Sequence, residues 1–371
     1  MLRDELLQMI TLAERLIGAG EIGVLATLFS SSGSTYRPLG SMMVSGPAKM
    51  IAGGVSGGCL EEYVARQGRV IVQQRVADVL SFDTDPDGDT GGRPALGCGG
   101  AIEVLVERFT PDHLMFLREF YAARAGDHFR SAACVIEKSA ANALKVRRFW
   151  FADAAGLDPH LERLRARSAA AGKSQYGVLS ATQRALVYYA APMTRLVIFG
   201  AGNDVRPVCA LARSLGWHIT VVDRRARLAT PFRFPEADCV LAADWATAVS
   251  EIEFTPQTAV VMMTHSIPDD IEILPLLVEK PAAYIGVLGP EHRRQWLLEG
   301  VAETVTLSAS FTERIRGPIG LNLGDRSAPG IAMSIIAEIL AELNRCNAKP
   351  RSRGSLSVVS TSRAKALAAN G

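Results

Sequence analysis

Thr194-Arg195-Leu196-Val197-Ile198-Phe199-Gly200-Ala201-Gly202 is the stretch whose reading decides the fold. A short apolar run closing on Gly-x-Gly is a buried strand that turns sharply into a helix. Glycine permits the tight turn and lets another molecule come close to the backbone. The spacing predicts that helix over about residues 204 to 215 and the next strand over Trp217 to Asp223. Further strands are expected at 239–241, 259–263 and 284–288, with helical segments between them. That alternation is the pattern of a doubly wound parallel sheet, so the fold class is α/β with a Rossmann-like second half. In such a sheet Gly200, Gly202 and Asn203 form the turn where a pyrophosphate lies, and Asp223 is placed to accept from a ribose hydroxyl. Arg224 and Arg225 directly after the acid would favour an extra phosphate, and Val205 stands where the fingerprint has its third glycine. Thr264-His265 ends another strand, where these sheets hold ligands. NAD(P), another nucleotide or a pterin phosphate all stay open as its ligand.

Working towards the N-terminus, Leu6, Ile10, Ala13, Leu16 and Ile17 fall at helical spacing over residues 3 to 18. A strand is expected at 22–29, then a loop from Ser30 to Gly33, and short strands at 42–44 and 50–52. Leu60 to Gln74 reads as a helix and 102–106 as a strand. Residues 131–151 and 184–190 give strand signals on either side of a basic helix near 159–169. These segments are assigned to an N-terminal α/β domain, residues 1–190, followed by the Rossmann-like domain, 191–346. Residues 347–371 are basic and contain no acid, and are expected to form a disordered tail.

The N-terminal half carries two glycine-rich runs with a cysteine inside each, Gly53-Gly54-Val55-Ser56-Gly57-Gly58-Cys59-Leu60-Glu61 and Leu96-Gly97-Cys98-Gly99-Gly100. A thiol in such a loop is a soft ligand within reach of a bound group, and a packing cysteine needs no glycine escort. The pair points to capture of an anionic, sulfur- or metal-bearing group. Ser34, Tyr36 and Arg37 follow Gly33 and offer hydroxyls and a guanidinium suited to a phosphate. The apolar surroundings of Cys134, Cys209 and Cys239 mark them as buried and inert. Asp83 to Asp89 mimics the start of a calcium loop, but Pro94 replaces its closing carboxylate, so a solvated loop is expected.

Composition narrows the function classes. The 371 residues include 40 Lys and Arg and 38 Asp and Glu, a net charge of +2 that gives no argument for nucleic acid or a membrane surface. No apolar run reaches a spanning length, and the six cysteines form no CxxC pair, which suits a reducing cytoplasm. Ser-His-Asp order, paired acids and a P-loop lysine are not apparent, so an orthodox hydrolase or kinase has little support.

Gly33-Ser34-Thr35-Tyr36-Arg37-Pro38, Ser56-Gly57-Gly58-Cys59-Leu60-Glu61 and Gly97-Cys98-Gly99-Gly100 resemble the N-terminal domain of the xanthine dehydrogenase accessory factor family, XdhC/CoxI. Phe199-Gly200-Ala201-Gly202, Thr264-His265, Tyr284 to Gly289 and Gly317 to Leu321 resemble its C-terminal Rossmann domain. The resemblance runs in consistent order over roughly residues 10 to 343. It departs from the commoner pattern at Asn203-Asp204, where many members have a histidine and a small residue. The resemblance implies a chaperone that binds the molybdenum cofactor (molybdopterin) and shields it. It implies sulfuration with a cysteine desulfurase and delivery to a xanthine dehydrogenase-type molybdoenzyme, in a protein expected to be a homodimer. Cys98 is then the candidate contact to molybdenum, and Cys59 the next. The rival from another class is an NAD(P)-dependent oxidoreductase built on Gly200, Gly202, Asp223 and His265; a third possibility is a binding-inert scaffold.

Overall fold

The structure is a computed structural model that describes residues 2–33, 35–47, 49–74, 76–83, 100–139, 143–154, 156–303 and 305–349. The expected tail beyond 349 lies outside the described residues. The chain opens with α1, Arg3–Gly18, whose Leu6, Met9, Ala13 and Leu16 are buried at helical spacing. It continues through β1 (Val24–Gly33), β2 (Met42–Ser45), β3 (Ile51–Gly53), α2 (Glu61–Gln74), β4 (Ala77–Asp83) and β5 (Gly100–Arg108). These five strands form an antiparallel sheet in the order β3-β2-β1-β5-β4. The expected loop at Ser30–Gly33 is instead the end of β1. Past a register shift at Leu28/Ser30, Ser30 to Ser32 pair with Glu103, Ile102 and Ala101. Serine has little strand preference of its own, and the ladder supplied by β5 overrides it.

A second antiparallel sheet follows helix α3 (Pro111–Ala125), in the order β7-β6-β9-β8. Its strands are β6 (Arg130–Lys138), β7 (Leu144–Trp150), β8 (Gln175–Val178) and β9 (Gln183–Ala190), with α4 (Pro159–Ala171) between β7 and β8. Leu25, Phe29 and Leu105 of the first sheet share one core with Phe116 and Phe120 of α3 and with Trp150, Leu186 and Tyr188 of the second.

The third sheet is parallel throughout. Its strands are β10 (Arg195–Phe199), β11 (His218–Val222), β12 (Cys239–Leu241), β13 (Thr258–Met262), β14 (Tyr284–Val287) and β15 (Ile315–Arg316), in the order β12-β11-β10-β13-β14-β15. Strand order reverses between β10 and β13, which is where such sheets open a crevice at their carboxyl ends. Helices α5 (Val205–Ser214) and α10 (Ala328–Leu343) cover one face. Helices α6 (Trp245–Glu251), α7 (Ile267–Leu276) and α8 (Glu291–Ala302) cover the other, and the short α9 (Ala309–Thr312) adds Phe311 to that side. The α/β class and the Rossmann-like arrangement expected from Thr194–Gly202 are both present.

The antiparallel sheets meet the parallel one at the starts of its strands. Arg3 Nη1 bonds Asp238 Oδ1 at 2.5 Å, and Met193 N donates to Arg124 O at 2.7 Å. Arg195 Nη2 reaches Ala125 O at 3.0 Å, and Arg213 pairs with Asp4 at 3.2 Å. Among the described residues no helix is long and apolar enough to cross a membrane.

Candidate functional site

Antiparallel pairing brings the N-terminal motifs to one end of the first sheet. Gly33 pairs with Gly100, Ala101 with Asp83, and Met43 with Gly53. The segment that follows β1, the loop that follows β3, and the chain between Asp83 and Gly100 therefore all leave the sheet at the same end. Ser34, Gly97, Cys98 and Gly99 lie outside the described residues, as does all of the acidic Asp83–Asp89 run except Asp83 itself.

The loop from Gly54 to Leu60 is built around the Glu61 carboxylate. Oε1 accepts from Val55 N at 3.1 Å and Ser56 N at 2.7 Å. Oε2 accepts from the Ser56 hydroxyl at 2.6 Å and Leu60 N at 3.2 Å. Burial alone would raise this carboxyl, but the Ser56 hydroxyl and the loop N–H groups outweigh it and hold it below the usual range. With its donors bound from beneath, the loop presents Gly57, Gly58 and Cys59 outward, and the Cys59 thiol is exposed and reduced. Gly58 has φ +112°, and no described atom lies within 4 Å of where its Cβ would stand. Tyr36 is 76 % exposed. Its ring passes 3.2 Å from the Cβ position of Gly57. Arg37 donates to Ser56 O at 3.2 Å and to Glu5 of α1 at 2.6 Å. Tyr36, Arg37, Gly57, Gly58 and Cys59 thus form one surface. Ser56 and Glu61, which belong to the quoted motif, are the groups that shape it. A backbone cradle open above a glycine, beside a soft thiol, an aromatic face and a guanidinium, fits a flat ligand bearing phosphate and sulfur.

The crevice of the parallel sheet is arranged differently. Gly200 has φ +117°, and a Cβ there would collide with the carbonyl of Met263, so β10 and β13 touch through bare backbone at the switch point. Asp223 is 2 % exposed. Its Oδ2 accepts from Ala201 N at 2.8 Å and Arg225 Nη2 at 2.7 Å, and its Oδ1 from Arg225 N and Nε, each at 2.8 Å. Burial would raise this carboxyl, but Arg225 and the Ala201 N–H prevail and lower it. The expectation that Arg224 and Arg225 favour a phosphate finds both engaged elsewhere. Arg225 folds back on Asp223, and Arg224 pairs with Asp269 at 3.1 Å and with Glu272. Asn203 accepts from Arg233 at 2.9 Å, and His265 Nε2 lies 2.8 Å from Asp204 Oδ2. Thr264 turns inward and donates to Asp270, which also holds Arg293 at 2.6 Å.

A cleft of about 630 Å³ lies at the other end of the first sheet, against Ala77, Glu107, His113, Arg148 and Trp150. Cavity volume and motif chemistry therefore point to opposite ends of the sheet. We take the motif end as the site, because the sequence motifs converge there and the central charges of the cleft, Glu107 and Arg148, pair with each other. Arg148 Nη1 meets Glu107 Oε1 at 2.7 Å, and His113 stands 3.4 Å from the same oxygen. Sequence reading missed this group, whose members are scattered over β5, α3 and β7. Cys134 beside it is buried, which pushes its thiol up to about 12, as burial also does for Cys209. Cys134 and Cys209 are buried as expected; Cys239, expected to be buried with them, is only partly so, and burial raises its thiol too.

A parallel sheet with a Gly-x-Gly turn, joined to antiparallel sheets that carry a thiol in a glycine loop, defines an α/β protein with a Rossmann-like second half. Residues 16–83 match the XdhC and CoxI family and residues 196–339 match the XdhC Rossmann domain. The chain belongs to the XdhC/CoxI family. It is 28% identical over 340 residues to a probable xanthine dehydrogenase subunit of Bacillus subtilis (strain 168), covering 90% of this chain and 97% of that one. It is 24% identical to the molybdenum cofactor insertion chaperone PaoD of Escherichia coli (strain K12), over 91% of this chain and 89% of that protein. A crystal structure described as a xanthine dehydrogenase from Bacillus halodurans superposes with a TM-score of 0.70 at 26% identity, covering 94% of this chain and 98% of that one.

Proposed function

We propose that this chain is a molybdenum cofactor chaperone that takes up the pterin-bound metal and passes it to a xanthine dehydrogenase-type enzyme. One observation carries the reading: the segments bearing Tyr36 and Arg37, Cys59, and Cys98 all leave the same end of the five-stranded sheet. The names of the Bacillus subtilis and Escherichia coli relatives agree with it. In this reading Gly57, Gly58 and Arg37 hold the pterin phosphate and Tyr36 lies against the ring. Cys98, with Gly97, Gly99 and Gly100 around it, meets the molybdenum, and Cys59 stands beside it. Protection from oxidation, sulfuration with a cysteine desulfurase and a homodimeric state belong to the same proposal. So does a division of the chain at about residue 190.

The test is co-expression with cofactor synthesis, followed by measurement of molybdenum and of the oxidised fluorescent pterin in the purified protein. Cys98→Ala and Cys59→Ala are expected to lower retention at least fivefold and Cys134→Ala to leave it unchanged. Equal losses in all three variants, or no retention by the parent chain, refute the assignment.

A further inference from the structure

The doubly wound sheet carries a dinucleotide turn, yet the groups a dinucleotide would need are already occupied by the chain. A carboxylate offers about four lone-pair positions. All four on Asp223 are filled, by Ala201 N and by three donors of Arg225. A ribose hydroxyl, which the acid at this strand end would ordinarily receive, finds no acceptor there until Arg225 leaves. The Arg225 side chain is half exposed, while that of Asp223 beneath it is buried.

The second position is the helix N-terminus, where the pyrophosphate would lie against Gly202. Asp204 Oδ1 fills the space in which a Cβ on Gly202 would stand, so a carboxylate sits where an anionic ligand must approach. His265 holds it there through the 2.8 Å contact to Oδ2, and His265 itself has φ +58°, a conformation non-glycine residues seldom adopt. Val205, buried in the place of the third glycine, is a further departure from the fingerprint.

We propose that this crevice is closed to nicotinamide dinucleotides by two internal pairs, Asp223–Arg225 at the ribose position and Asp204–His265 at the pyrophosphate position. Arg225 and Asp204 are the specificity-determining residues, and each acts by occupying a place the ligand needs. The inference concerns the parallel sheet alone. The cofactor-retention experiment on the antiparallel end can fail without touching it, and the reverse also holds.

The test titrates the full chain with NADH, followed by nucleotide fluorescence and by calorimetry. The parent protein is expected to show no saturation up to about 1 mM, a range in which any binding is weak. Arg225→Ala with Asp204→Gly is expected to bring saturable binding at least tenfold tighter than that limit, and Asp223→Ala added to the pair is expected to abolish the gain. Thermal melting of each variant establishes that it is folded. Micromolar binding by the parent overturns the proposal, and so does a folded Arg225→Ala, Asp204→Gly protein that binds no NADH.

Discussion

The loop after β3 and the turn after β10 use the same device to opposite ends. Each is a glycine-rich segment whose backbone is tied to one carboxylate: Glu61 takes three N–H groups of the first, and Asp223 takes the Ala201 N–H of the second. In the first, the carboxylate lies beneath the loop and its four donors come from the loop itself, so Gly58, Cys59 and Tyr36 remain on the surface. In the second, the carboxylate is the group a ligand would use, and an arginine from the next turn consumes it. A glycine motif read from sequence therefore reports a backbone path. Whether the path is open to a ligand depends on which side chain satisfies its donors.

Three experiments sharpen or break this contrast. The largest effect is expected at Gly200, where positive φ and the Met263 carbonyl both forbid a side chain. Gly200→Ala should cost more than about 3 kcal/mol of stability in denaturant unfolding, because the strands of the switch point must separate. A cost below about 1 kcal/mol, the ordinary range of a surface change, would show that β10 and β13 do not touch through bare backbone there.

The second effect is acid sensitivity of the N-terminal half. Burial would raise Glu107, but Arg148 and His113 prevail and hold it down from an ordinary 4.5 to about 2. A carboxyl held low in the folded state contributes stability above the unfolded value and loses it as pH falls towards the folded one. Between about pH 4.5 and 2 the loss should be on the order of 3 kcal/mol. Trp150 closes β7 two residues after Arg148. Its fluorescence, with Trp217, Trp245 and Trp296 replaced by Phe, should follow the transition. An unfolding midpoint in urea that stays flat over this window contradicts the pairing.

The smallest effect is expected at Gly58, which shares the positive φ of Gly200 but faces open space. Gly58→Ala should cost only about 1 to 2 kcal/mol, from the backbone conformation alone. If it matches Gly200→Ala in unfolding experiments, the cradle is closed and the contrast between the two halves fails.

The sequence revealed five strands of the parallel sheet because they are short, largely apolar runs, with β10 closed by Gly200 and β11 by Asp223; the two-residue β15 passed unread. The first half was harder. Helix α3 passed unread although Thr110-Pro111 marks its start, because Leu114, Phe116, Leu117, Phe120 and Ala123 spread its buried face too widely for a clear stripe. The last residues of β1 read as a loop because three serines carry no strand signal. Ser56 and Glu61 were visible as motif letters, yet their role depends on a loop that folds back over five residues. Arg225 and Asp204 were visible too. That each turns towards its own neighbour is a matter of tertiary geometry, which spacing alone does not encode.

The first turn of α1 has a consequence for how the protein can be handled. Arg3 grips Asp238 at the seam between the sheets, and two residues later Glu5 grips Arg37 beneath the cradle. One turn of helix thereby fastens the parallel sheet and steadies the ligand loop together. A fusion partner or affinity tag grafted ahead of Leu2 bears on both attachments at once.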